Sequence, residues 1–193
     1  MNAVLHIPRT RADRGFSLIE MIVSVGIFST VMIVAVGSLL SIVDANRKAQ
    51  AQQIVINNLN FALENMSRNI RIGSYYHCGS SLPLSTKADC NNGDSYFAFE
   101  GREGNTSQTN DQIVYRLSNS QIEKSTDGGT TFIGITAPEI VIEGLSFYVD
   151  GAAAGDQKQP KVLMTVYGHT GISNRARVDF NLQTMISQRA FDI

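Results

Sequence analysis

No excess of either charge sign marks this sequence: 16 lysines and arginines stand against 17 aspartates and glutamates, a formal net charge of −1. Such a balance provides no basic surface field, so no nucleic acid is evident as a partner, and no block of like charge reads as an interaction tail. Histidine is scarce as well. His6, His77 and His169 are scattered, and His77-Cys78 with Cys90 falls short of the four ligands that a structural zinc needs. The runs Asn91-Asn92-Gly93-Asp94 and Thr126-Asp127-Gly128 are rich in oxygen but lack the spacing and closing glutamate of a calcium loop. Turn chemistry accounts for both. Gly101-Arg102-Glu103-Gly104 is no phosphate loop, since no G-x-x-x-x-G-K-[ST] occurs. Serines, cysteines and carboxylates are present, but no spacing singles out a nucleophile with its base. The expectation is therefore a protein that is not an enzyme and uses no cofactor and no metal.

One local absence is informative. From Met21 to Val43 there is no Asp, Glu, Lys or Arg, and these 23 residues amount to ~35 Å of helix. That length spans the ~30 Å hydrocarbon core of a bilayer with some tilt, and no comparable stretch follows. Arg9, Arg11 and Arg14 precede the run against a single Asp13. Positive charge before a first span favours retention in the cytoplasm, so the segment from Asp44 onward is expected outside it, in the periplasm or beyond the cell. There a disulfide is permitted, and Cys78 and Cys90 flank a polar segment that a bridge would staple; two unpaired thiols are the alternative. An ordinary secretory signal fits poorly, because the apolar run is too long and no A-x-A-like site follows it.

The helical pattern continues beyond the apolar run. Asp44 to Ile72 contains no Pro or Gly, and Val55, Leu59, Ala62, Met66 and Ile70 recur at helical spacing, with Ile56, Phe61 and Leu63 widening the stripe. Gly73, just after Arg71, is a suitable stop. Phe16–Ile72 is thus expected as one continuous helix. Residues 74–193 read as strands: Ser95–Phe99, Gln112–Leu117, Gln121–Lys124, Thr130–Ile135, Val141–Val149, Lys161–Tyr167 and Arg175–Thr184. Short polar turns between them predict an antiparallel sheet. The fold class is α+β, a long N-terminal helix packed on an antiparallel sheet. The expected segments are 1–15, a leader; 16–43, a membrane and polymerisation helix; 44–73, its amphipathic continuation; and 74–193, an exported β-domain.

Against this background Glu20 stands out. It sits just inside the apolar run, where an unpaired charge costs about 2.5–3.5 kcal/mol or more. A short basic leader, then Gly15-Phe16-Ser17-Leu18-Ile19-Glu20, then about twenty apolar residues resembles the class III signal of type IV prepilins and type II secretion pseudopilins. The resemblance is strong over residues 9 to about 45. It implies cleavage by prepilin peptidase between Gly15 and Phe16, N-methylation of Phe16, and assembly through Phe16 and Glu20 into a helical filament of pilins or pseudopilins. Membrane lipid would hold the subunit beforehand, and an inner-membrane assembly platform would receive it. Glu20 would pair with the Phe16 amine of a neighbouring subunit, a registry device in a low-dielectric bundle. Many major pilins carry proline where this chain has Gly37. That departure, the β region with several hairpins and the ending Leu182–Arg189 resemble the minor pilins and minor pseudopilins more closely. An anchored, exported binding protein or enzyme is the alternative.

Overall fold

With no proline between Pro8 and Pro83, nothing interrupts the i to i−4 hydrogen-bond ladder after the N-terminal segment. A computed structural model of the chain describes residues 15–81, 83–153, 155, 157–170 and 177–189. Leu18–Ile72 forms a single α-helix, α1. The leader residues 1–14 lie outside the described residues, as do Arg175 and Ala176 at the start of the last expected strand. The chain divides into two compact units, Met1–Val43 and Asp44–Ile193.

In the first unit every described residue is exposed, so its apolar side chains are left uncovered among the described residues. The hydroxyls among them are satisfied locally. Ser24 Oγ donates to Glu20 O at 2.6 Å, Ser29 to Val25 O at 2.7 Å, Thr30 to Gly26 O at 2.9 Å and Ser38 to Val34 O at 2.9 Å. Each hydroxyl thereby avoids presenting an unmatched polar group to an apolar surrounding.

In the second unit Val55, Leu59, Ala62, Met66 and Ile70 are the buried residues of α1. Ile56 and Phe61, expected to widen that stripe, are 52% and 72% exposed, while Leu63 is half-buried. The sheets cover a strip about one residue per turn wide, which leaves the flanking positions in solvent. Nine strands follow α1 among the described residues: β1 (Ser74–Cys78), β2 (Cys90–Asp94), β3 (Tyr96–Glu100), β4 (Ile113–Ser118), β5 (Gln121–Ser125), β6 (Ile133–Gly134), β7 (Ile140–Asp150), β8 (Lys161–Thr170) and β9 (Val178–Ser187). They form two antiparallel sheets rather than one, in the orders β1-β3-β4-β5-β6 and β2-β7-β8-β9. Thus the α+β architecture is that of a type IV pilin, one long N-terminal helix followed by antiparallel sheets.

One core joins the helix to both sheets. Leu59, Met66 and Ile70 meet Phe97, Phe99 and Tyr115 from one sheet and Phe147, Val162 and Met164 from the other. The Phe97 and Phe147 rings stack across the sheets at 5.2 Å between centroids. Two phenols tie the last turns of the helix to the strands. Tyr76 Oη donates to Ile70 O at 2.5 Å, and Asn69 Nδ2 donates to Tyr115 Oη at 3.1 Å. Burial pushes the Tyr115 phenol up to about 12, against the opposing hydrogen bond from Asn69, and lifts Tyr76 as well. Gly73 does end the helix, but not through a left-handed backbone, since its φ is not positive. A Cβ there would collide with the Phe99 ring and lie 2.9 Å from Glu100 O. The glycine admits β3 against the end of the helix.

Candidate functional site at the start of the apolar helix

Ser17 closes the N-terminus of α1. Its carbonyl accepts the backbone N–H groups of Glu20 at 3.1 Å and Met21 at 3.2 Å, and its Oγ accepts Glu20 N–H at 3.3 Å. Ser17-Leu18-Ile19-Glu20 therefore has the order of a capping box, with the carboxylate in the first turn where it complements the positive end of the helix. The sequence reading assigned Glu20 only to assembly and missed this local role. The signal was present, as a serine three residues before a glutamate at the head of an apolar run.

Gly15 and Phe16 precede the helix. The bond between them lies in irregular chain, and Phe16 is 78% exposed. A Cβ built on Gly15 would meet nothing within 4 Å, so the fold makes no demand for glycine at this position. Gly15, Phe16, Ser17 and Glu20 line one open cleft. The residues that the sequence singled out are thus gathered at the mouth of an exposed apolar helix.

Residues 10–36 match the family model described as the prokaryotic N-terminal methylation motif. The match covers the leader end, Gly15, Phe16, Glu20 and most of the charge-free run. The chain is type IV prepilin-like. No curated protein and no solved structure matches it. For this prepilin-like chain the motif implies processing by prepilin peptidase and assembly with other pilins. The motif and a helix long and apolar enough to cross a membrane together point to a membrane-anchored precursor.

The other two residues singled out lie beyond the helix of the prepilin-like chain, in its β-region. Cys78 ends β1 and Cys90 begins β2, and the two form a disulfide with a Cα–Cα distance of 5.7 Å. Because β1 and β2 lie in different sheets, the bridge fastens one sheet to the other. His77 is fully buried beside it, with Nδ1 2.6 Å from Thr86 O and Nε2 2.9 Å from Gly79 O. Both ring nitrogens are therefore committed to the backbone of the 79–89 connection, which is a structural duty. Among the described residues no group of three or more His, Cys, Asp or Glu side chains is placed to hold a metal ion.

Proposed function

We propose that the chain is a minor pilin or minor pseudopilin, a structural subunit of a type IV pilus or a type II secretion pseudopilus. The observation that carries this reading is the methylation motif at residues 10–36 heading a fully exposed apolar helix. Prepilin peptidase cuts between Gly15 and Phe16 on the cytoplasmic face and methylates the Phe16 amine. Gly15 supports the assignment of the cut, because a residue that the fold does not require is explained by what an enzyme must accommodate. Removal of the leader leaves Phe16 as the residue immediately before the Ser17 cap, so the helix start survives processing.

The subunit is a substrate of the peptidase and catalyses no reaction itself. Lipid holds it, N-terminus inward, until the assembly platform draws it into a filament. There the apolar helices cover one another while the exported domains face outward. Gly37 in place of a helix-kinking proline and the two-sheet domain support the minor position. Mass spectrometry of the protein purified from its own membrane tests the reading. The expected mature chain begins at N-methyl-Phe16. An intact leader would instead indicate an anchored, exported binding protein or enzyme.

A further inference from the structure

Three of the four sheet edges are short or irregular. β1 and β2 have five residues each and their ladders shift register, while β6 has two residues. β9 differs. It runs ten residues, pairs with β8 throughout without a register shift, and has no strand on its other side among the described residues. Half of its backbone N–H and C=O groups therefore point away from the sheet, a template for another strand. The usual defences of an edge are missing. β9 contains no proline, lysine or bulge, and Asp179 is its one charged residue. Side-chain burial also stops one strand short. The core-facing Val162, Met164 and Val166 of β8 are fully buried, whereas Phe180, Leu182 and Thr184 in the adjoining row of β9 are only half-buried. On the opposite face Met185 is 65% exposed. A further strand beside β9 would cover both rows.

We infer that β9 pairs antiparallel with β9 of a second copy of the chain, joining the two four-stranded sheets into one across a two-fold axis. Faces and charge select the register. Facing residues must share a side of the sheet, so their numbers differ by an even count. With Thr184 opposite its own copy, Leu182 faces Ile186 in the core-facing rows and Gln183 faces Met185 in the outer rows. The same register brings Asp179 toward Arg189, just past the strand, at both ends. Their charges are complementary. Glu143 and Asp179 share the single guanidinium of Arg177 at 3.3 and 2.8 Å, with His169 Nδ1 also on Glu143 at 2.8 Å. Arg189 is exposed and enters no ion pair among the described residues. Moving the axis to Gln183 would set Arg177 against Arg189, and like charges directly opposite are unfavourable. Moving it to Leu182 would leave Asp179 facing Met185. Neither leader removal nor filament formation enters this pairing, so it goes beyond the subunit role and fails or stands apart from it.

The test uses the full-length chain, in membranes of the expressing cells and in detergent. Thr184→Cys would lie on the two-fold axis, whereas the two copies of Asn181→Cys would lie about 20 Å apart along the strands. Mild copper-phenanthroline oxidation should therefore convert Thr184→Cys to a disulfide-linked dimer about tenfold faster or more than Asn181→Cys, read on non-reducing gels. Sedimentation equilibrium in detergent checks the register through exposed side chains. Gln183→Lys with Met185→Lys sets lysine opposite lysine at two places and should weaken the dimer about threefold or more. Gln183→Glu with Met185→Lys makes both pairs opposite in charge and should restore it. Equal cross-linking of the two cysteine variants would overturn the proposal, as would a wild type that stays monomeric. A dimer held by the apolar helices would be indifferent to both charge combinations, which would overturn it too. So would cross-links from Thr184→Cys to a different protein alone, which would make the added strand another partner's.

Discussion

Asp127, between β5 and β6, accepts hydrogen bonds from Ser125 Oγ at 2.6 Å, Thr131 Oγ1 at 2.5 Å, Thr131 N–H at 2.9 Å and Thr130 N–H at 3.1 Å. These donors, the Ser125 hydroxyl foremost, hold its carboxyl well below the usual carboxylate range. A carboxyl depressed in the folded state contributes stability that is present above its unfolded value and is lost as pH falls through its folded value. Lowering the pH from about 5 to about 2 should therefore reduce the Tm of the wild type more than that of Asp127→Ala, measured side by side by thermal unfolding. The turn itself was legible, since Thr126-Asp127-Gly128-Gly129 has the residues that turns favour. Its consequence was not. Asp127 captures Thr130 and Thr131, so the strand expected over Thr130–Ile135 shrinks to Ile133–Gly134. A side-chain claim on the following backbone leaves no mark in strand propensity.

Strands β1 and β2 illustrate the same limit at the scale of elements. Ser74–Cys78 follows directly on the helix, and Cys90–Asp94 is Cys-Asn-Asn-Gly-Asp, with no alternation to read. Pairing with β3 and β7 makes them strands, together with the disulfide that joins them. Context overrides intrinsic preference in sheets more readily than in helices. The helix was the more legible element, because its second half, Asp44–Ile72, combines 3.6-residue periodicity with freedom from Pro and Gly. Its five buried residues could be named from spacing, whereas the width of the covered strip depended on the sheets. Met66 is 0% exposed and Phe61 72%. Met66→Ala should destabilise the full-length chain by about 2–5 kcal/mol in urea unfolding, and Phe61→Ala by no more than ~0.5 kcal/mol. Equal effects of the two substitutions would contradict the buried stripe.

For the whole molecule, Val43 and Asp44 mark both the end of the charge-free run and the division between the two compact units. The described residues of the first unit are all exposed, and lipid or neighbouring helices cover them in the filament reading. Glu20 then has two duties, a negative charge at the positive end of its own helix and a partner for the Phe16 amine of a neighbour. Two variants separate them. Glu20→Ala should be processed normally yet be absent from sheared filaments. Ser17→Ala, which weakens the cap by about 1 kcal/mol but keeps the charge, should still assemble. Immunoblots of filament and membrane fractions provide the measurement, and normal incorporation of Glu20→Ala would contradict the ion-pair role.

Local chemistry was enough to determine the methylation motif, the apolar helix with its amphipathic continuation, and the antiparallel character of the strands that follow. Each rests on residues adjacent in sequence or one helical turn apart, so each is written in the chain itself. The tertiary structure alone decided that the strands divide into two sheets, that Cys78 and Cys90 bridge them, and that Gly73 is a space for Phe99. These depend on which distant surfaces meet, and burial gives a polar atom or a glycine its meaning only after that meeting has occurred.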